Sequence, residues 1–418
     1  MPVVDTLNVP DSSDSGMFNG SAGELAAMVT FDILRESPQL VAEVEAGTLD
    51  RRVLETAIVR DIDRNRYYAG VSRNELIRKV FDYMFGYWDL EDYVRDEDVS
   101  DIIGTRHDFF FIIKNGVRQA IPVRFAGETQ FDSYCKLLAI RNGGILNEND
   151  SHCRVSDEKY RLRINVSVRP RNISGPAINI RKHRKKSYTL DGLAGLGMLS
   201  GGLAGFFRRL ARSDANILFC GKGAAGKTTL LRAVANCFPP TERALVCETD
   251  TELYPDGPNF IVQRIKKANE GGRPVTLRDL VRDGLTMSLD TYIVGEIVGD
   301  EAWEFIKAGF TGHRVLGTIH AGSAEDALFR LLTLVKSANV DLSEKTLKRI
   351  ISGSLDVIVY LEDFRVSEVI EVLGYDDEKD AVCTGSLFRI DGCGMQVETG
   401  QIGYRLEMKM KRGRGEPG

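Results

Sequence analysis

Lys227 and Thr228 close the run Asn-Ile-Leu-Phe-Cys-Gly-Lys-Gly-Ala-Ala-Gly-Lys-Thr-Thr, residues Asn216–Thr229. Gly221 through Thr228 fit Gly-x4-Gly-Lys-Thr, a spacing that suits phosphate binding. The glycines Gly221, Gly223 and Gly226 let the backbone turn its amides inward, with Ala224 and Ala225 small enough not to block them. Lys227 can reach the β- and γ-phosphates, and the Thr228 hydroxyl can hold Mg²⁺. Thr229 then opens a helix whose N-terminus adds positive potential. An ordinary glycine turn is the plainer alternative. The flanks argue against it: Ile217–Cys220 is an apolar run suited to a buried parallel strand, and Leu230, Leu231, Val234 and Ala235 recur at helical spacing.

Hydrolysis needs an acid to organise Mg²⁺, a group to orient water, and positive charge for the developing oxyanions. Three clusters offer these. Glu248-Thr-Asp-Thr-Glu252 follows an apolar strand, Ala244–Glu248, and acids at that end of a parallel strand face the ligand crevice. A solvated loop is the alternative there. Glu296 ends the apolar run Tyr292–Gly295, which has Asp290 at its start, and Glu296 suits a magnesium-organising position. His320 ends the strand Val315–Ile319, with Thr311-Gly-His313 just before it; both histidines flank a core strand, which favours γ-phosphate sensing by His320 over a purely structural role.

These groups need a scaffold. From Leu190 onward helix and strand alternate, the α/β signature, with a helix at Met198–Arg212 and further strands at Asp356–Leu361 and Glu368–Tyr375. Thr276 with Asp279 and Ser323 with Asp326 form helix-capping pairs. Ahead of this domain, residues 21–95 carry helical periodicity, for instance Leu25, Met28, Val29 and Ile33, which reads as amphipathic packing. Residues 96–168 read as a smaller α+β domain: strands at Phe109–Ile113 and Ala120–Val123 about an Asn115-Gly116 turn, a helix at Thr129–Ile140, and a half-buried strand at Arg161–Val168. Residues 1–20 read as a disordered tail, 169–189 as a basic linker, 190–375 as the phosphate-loop domain, and 376–418 as strands and a frayed basic tail. The linker holds Arg169, Arg171, Arg181, Lys182, Arg184, Lys185 and Lys186. It suits a solvated connection, a nucleic-acid or membrane contact, or a basic arm reaching phosphates held by the next domain or subunit.

The 418 residues are 43% apolar, enough for two or three domains with real cores. A net charge of −5 gives no global pull toward nucleic acid or anionic lipid. Seven scattered cysteines without Cys-x-x-Cys argue for a reducing compartment and against a zinc site or disulfide framework. Gly192–Phe207, the longest uncharged run, has 16 residues with six glycines and is too short for a membrane span. No signal peptide is recognisable, so a cytosolic protein is expected.

Taken together, the boxes resemble those of the secretion ATPase superfamily of bacterial type II and type IV machines, most closely its tight-adherence (Flp) pilus and conjugation-type branch. The matching stretches are Gly86–Tyr93, Asp98–Ile102, Ile178–Arg181, Leu190–Leu199, the phosphate (Walker A) loop, Glu248–Leu253, Val275–Arg282, Val294–Glu296, Thr311–His313 and Thr318–Ala327. The resemblance implies a RecA-like P-loop NTPase domain, a mostly parallel sheet with helices on both faces. It implies ATP and Mg²⁺ as cofactors, a homo-hexamer, polytopic inner-membrane platform partners, and a peripheral place at the inner face of the cytoplasmic membrane. Glu248 and Glu252 fall in its acidic box, Glu296 in its Walker B box and His320 in its histidine box. It further implies that Arg163 or Arg181 reaches the phosphates. There are three departures from the pattern: the loop reads Lys222-Gly-Ala-Ala225, Thr249 replaces an aspartate, and Val298 stands where an arginine is usual. Within the acidic box Glu252 is the preferred water-aligning acid over Glu248. Arg264, Arg278, Arg282 and Arg181 are candidates to replace the missing arginine. The competing readings are a nucleic-acid motor, which lacks a base-stacking module, and a catalytically weak structural ring.

Overall fold

The computed structural model describes residues 22–413 except 46, 68–71, 126, 184–186 and 268–272. The expected tail at 1–20 and the basic residues Arg184, Lys185 and Lys186 lie outside the described residues. Two compact units divide the chain, Met1–Phe131 and Asp132–Gly418.

In the first unit, helices α1 (Ala22–Glu36), α2 (Pro38–Glu45), α3 (Arg51–Asn65) and α4 (Arg73–Phe85) are followed by a tight turn and α5 (Glu91–Arg95). Their apolar stripes close on one core containing Leu25, Val29, Leu54, Ile58, Ile62, Leu76 and Val80, as the periodicity requires. Asp50 and Ser72 cap α3 and α4 by accepting the backbone amides of Arg52 and Glu75. Strands β1 (Val99–Arg106), β2 (Phe109–Lys114) and β3 (Val117–Ile121) then form an antiparallel meander. Its second turn is Asn115-Gly116, both left-handed, the two-residue hairpin expected of that dipeptide. Helix α6 (Glu128–Arg141) runs across the division between the units.

The second unit opens with an antiparallel trio, β4 (His152–Asp157), β5 (Leu162–Ser167) and β6 (Ala177–Lys182). Alternation sends Cys153, Val155, Leu162, Ile164, Val166, Ile178 and Ile180 to a buried face. It sends Arg154, Arg163 and Arg181 to the other face. The stretch 169–189, expected as a linker, therefore holds a strand; Ile178 and Ile180 are its alternating apolar pair, obscured in sequence by the surrounding cations.

After α7 (Leu190–Gly195) and α8 (Gly201–Ala211) comes the main sheet. Its elements are β7 (Ile217–Gly221), α9 (Lys227–Ala235), β8 (Ala244–Glu248), β9 (Phe260–Arg264), α10 (Leu277–Gly284), β10 (Thr291–Ile297), α11 (Glu301–Phe310), β11 (Arg314–Ile319), α12 (Ala324–Ser337), α13 (Glu344–Ser354), β12 (Val357–Glu362), β13 (Arg365–Asp376), β14 (Ala381–Ile390), β15 (Gln396–Glu398) and α14 (Tyr404–Lys411). The strand order is β15-β14-β13-β12-β7-β11-β10-β8-β9. β12 through β9 run parallel, and β13 to β15 are added antiparallel. β7 is buried on both faces, Ile217 and Phe219 joining one core layer and Leu218 and Cys220 the other.

At the N-terminal end of β7, Asn216 ties three strands together. It donates its amide to Asp356, its side chain donates to the Ser354 carbonyl, and its Oδ1 accepts from Val315. Of the tail expected to fray from Lys409, residues 414–418 lie outside the described residues, and its start is anchored: Lys409 and, before it, Arg405 of α14 pair with buried Asp356 at 2.7 and 3.2 Å. A buried carboxylate at a strand start requires such cations. Among the described residues, no helix is long and apolar enough to cross a membrane.

Candidate nucleotide site

β7 delivers the chain to Gly221, and α9 begins at Lys227. Between them the loop passes through two left-handed positions, Ala224 (φ 60°) and Gly226 (φ 92°). Gly226 is needed twice over: its φ favours glycine, and a Cβ there would strike the Met198 methyl and lie 2.9 Å from the Phe364 ring. Lys227 is buried, and its Nζ donates to the carbonyls of Gly221 and Lys222 at 2.9 and 2.8 Å. Burial lowers its pKa, partly offset by the carboxylates of Glu296 and Glu252. Gly223, Ala224 and Lys222 are exposed, whereas Ala225 is buried, and Thr228 and Thr229 are half-buried at the start of α9. Lys222 points elsewhere, 3.7 Å from Glu362.

Glu296 is aimed by a bulge. β10 and β11 keep register through Val294↔Gly317 and resume at Ile297↔Ile319, so Gly295 and Glu296 carry one extra residue. The Thr318 hydroxyl donates to the Gly295 carbonyl at 2.6 Å and pins the bulge. Glu296 then meets His320 across the strand ends, Oε1 to Nε2 at 2.6 Å. A Cβ built on Gly223 would lie 3.8 Å from His320 Cε1, so this acid–imidazole pair borders the phosphate loop. His313 packs edge-on against Tyr292 at the opposite end of β11, away from that pair.

The two acids of the Glu248–Glu252 box do different things. Glu248 is 2% exposed, and its carboxylate accepts the amides of Glu252 and Leu253 at 3.0–3.2 Å. It packs against Gly295, where a Cβ would come within 2.8 Å of its Cγ. Burial pushes its pKa up to about 8, against the pull of those amides. Glu248 therefore braces the loop. Glu252 stays accessible and receives Arg163 Nη1 at 2.6 Å. Its pKa is raised by burial and lowered in turn by Arg163.

This assignment carries a pH signature. The Glu248 proton contributes stability fully below its unfolded pKa near 4.5, and that contribution is lost as pH rises through about 8. Glu248→Gln keeps the acceptor oxygen and removes the titration. Its melting temperature relative to wild type should rise steadily between about pH 5 and pH 8 and level off above that, measured by scanning calorimetry. A flat difference would mean that Glu248 is ionised in the native state.

The polar face of β4–β6 supplies the cations. Arg163 faces Arg181 in register. Arg154, Arg163 and Lys267 converge on Asp250 at 3.0, 3.9 and 3.6 Å. Glu158 accepts from the Thr251 and Tyr254 hydroxyls at 3.1 and 3.3 Å. Arg154, Lys267 and Glu158 were not singled out in the sequence; the alternation within 152–157 is a signal for Arg154, and no local pattern marks the other two. Arg181 lies close enough to depress the Glu252 pKa. The other replacement arginines are occupied: Arg278 with Asp300 and Glu304, Arg282 with Asp279, and Arg264 with the Ile265 carbonyl. Val298 is exposed, and its amide joins that of Gly299 on the Glu301 carboxylate, so this turn serves to start α11.

The type II/IV secretion system protein family matches residues 147–395, more than half of the chain. A Mycobacterium tuberculosis protein named for conjugal transfer is 28% identical over 260 residues, 60% of this chain and 74% of that one. VirB11 of Agrobacterium fabrum is 31% identical over 163 residues, 38% of this chain; the match spans 47% of VirB11, about half its length. Among solved structures, the Legionella pneumophila ATPase DotB superposes with a TM-score of 0.50 at 18% identity, covering 69% of this chain and 80% of DotB, a likeness of fold. The chain has the RecA-like fold of these proteins and belongs to the type II/IV secretion system protein family.

Proposed function

We propose that this chain is an ATP-hydrolysing motor working as a ring of six at the inner face of the cytoplasmic membrane. It would power pilus assembly or macromolecular secretion with polytopic membrane partners. The observation that supports this most is convergence. The Glu296–His320 pair borders Gly223 of the phosphate loop, Glu248 packs on Gly295 beside Glu296, and Glu252 of the same box holds Arg163, so the boxes gather at one place.

The geometry supports one role for each residue. Gly221, Gly223–Thr229 and the α9 N-terminus cradle the phosphates. Thr228 and Glu296 fit Mg²⁺, a hydroxyl and a carboxylate of the hard-oxygen kind; the ion would supply positive charge against the negative charge that develops in the reaction. Glu252 orients water, and His320 senses the terminal phosphate from its seat on Glu296. Arg163 and Arg181 supply the positive charge that Val298 does not, within one chain or toward a neighbouring subunit. A nucleic-acid motor is less well supported, because Arg154 and Arg163 are committed to Asp250 and Glu252.

Glu296→Gln tests the reading. The amide keeps the shape and the His320 contact but loses the charge. Nucleotide affinity should stay within a few fold while phosphate release falls by roughly a hundredfold or more. Unchanged turnover would remove Glu296 from the mechanism.

A further inference from the structure

The phosphate loop has a polar flank and an apolar one. On the polar side stand His320 and Glu296, next to Gly223. On the other side Gly226 is covered by Met198 and by the ring of Phe364. Phe364 belongs to a two-residue hairpin, Asp363-Phe364, joining β12 to β13 with Glu362 paired to Arg365. Both hairpin residues are left-handed, φ 45° and 59°. Asn-Gly is the usual solution there, and a bulky aromatic residue at positive φ is strained. Strain of this kind marks positions held for function. The ring remains 37% exposed.

Polar groups around this wall face one another. The Met198 carbonyl accepts from the Val366 amide and from Gln396 Nε2, both at 2.9 Å, and Gln396 Nε2 also reaches the Val366 carbonyl. The apolar flank thus consists of the Met198 methyl and the Phe364 ring, which meets Gly226 through its Cδ2–Cε2 edge and stays partly open to solvent. A triphosphate whose terminal phosphate points to Glu296 and His320 directs its nucleoside end toward the opposite flank.

We propose that Phe364 is the base-binding residue of the site, stacking on the nucleobase at the apolar flank of the phosphate loop. This rests on the nucleotide-binding reading above and adds the group that recognises the base. Aromatic stacking on a base is sequence-tolerant because every base has a π-face, and its loss costs roughly ten- to a hundredfold in affinity.

Titration of the full chain with Mg²⁺-ADP and with inorganic tripolyphosphate separates base from phosphate contacts. Phe364→Leu keeps an apolar side chain against Gly226 without an aromatic face. It should weaken ADP about tenfold or more and leave tripolyphosphate unchanged. Phe364→Tyr should restore ADP binding. Equal losses for both ligands in Phe364→Leu would show that the ring only shapes the loop, and no loss for either would remove it from the site; both overturn the proposal. Tripolyphosphate binding to wild type as tightly as ADP would overturn stacking while leaving the phosphate loop intact. Wild-type protein binding neither ligand would overturn the nucleotide reading as well.

Discussion

Lys227→Ala should abolish ATP hydrolysis and sharply weaken nucleotide binding. The ammonium is buried at the start of α9 and spends its hydrogen bonds on the Gly221 and Lys222 carbonyls. Those contacts place it at the centre of the loop, ready to exchange carbonyl oxygens for phosphate oxygens. Burial already disfavours its charge, so an incoming anion recovers electrostatic energy that the carbonyls only partly provide. Losing one preorganised donor to a developing oxyanion costs about 10²–10³ in rate, and here the binding cation goes as well. Lys222 cannot substitute, because it is exposed and directed to Glu362. The melting temperature should hold or rise slightly, since a desolvated charge is removed. Turnover within tenfold of wild type would remove the loop from the chemistry.

Glu252→Gln should be the second severe lesion, with a different signature. Glu252 sits 33% exposed at the end of the acidic box, held by Arg163, while Glu248 lies beneath it with its lone pairs turned to backbone amides. Only the first is open to solvent, as the proposed water-aligning role requires. Exchange to glutamine preserves size and an acceptor for Arg163 but removes basicity. A general base is worth about 10²–10⁴ in rate, so turnover should fall by that order with affinity nearly unchanged. Glu248→Gln should retain most activity near neutral pH, because the buried carboxyl is already protonated there. A silent Glu252→Gln beside a dead Glu248→Gln would reverse the two roles.

These contrasts show what the sequence makes legible. The phosphate loop can be read directly because its chemistry depends on backbone turns and one helix start, all local. Glu296 and His320 are readable because an apolar run that stops at a polar residue marks a strand end. The distinction between Glu248 and Glu252 is not local: it depends on Gly295 of β10 packing against Glu248 and on Arg163, 89 residues away along the chain, meeting Glu252. β6 is hidden because its apolar pair, Ile178 and Ile180, lies among arginines and lysines whose charge suggested a linker. The anchoring of α14 is hidden for the same reason, its cations reading as a solvated tail until buried Asp356 gives them a partner. Phe364 carries no motif at all; only the hairpin that brings it onto Gly226 reveals it.

Phosphate release from purified wild-type protein supplied with ATP and Mg²⁺, run beside Lys227→Ala, decides whether this chain is an ATPase. The site described here predicts steady, magnesium-dependent turnover in the wild type, rising with protein concentration as shared sites assemble, and none above background in the variant. No release by wild type at any concentration, or equal release by Lys227→Ala, would contradict it.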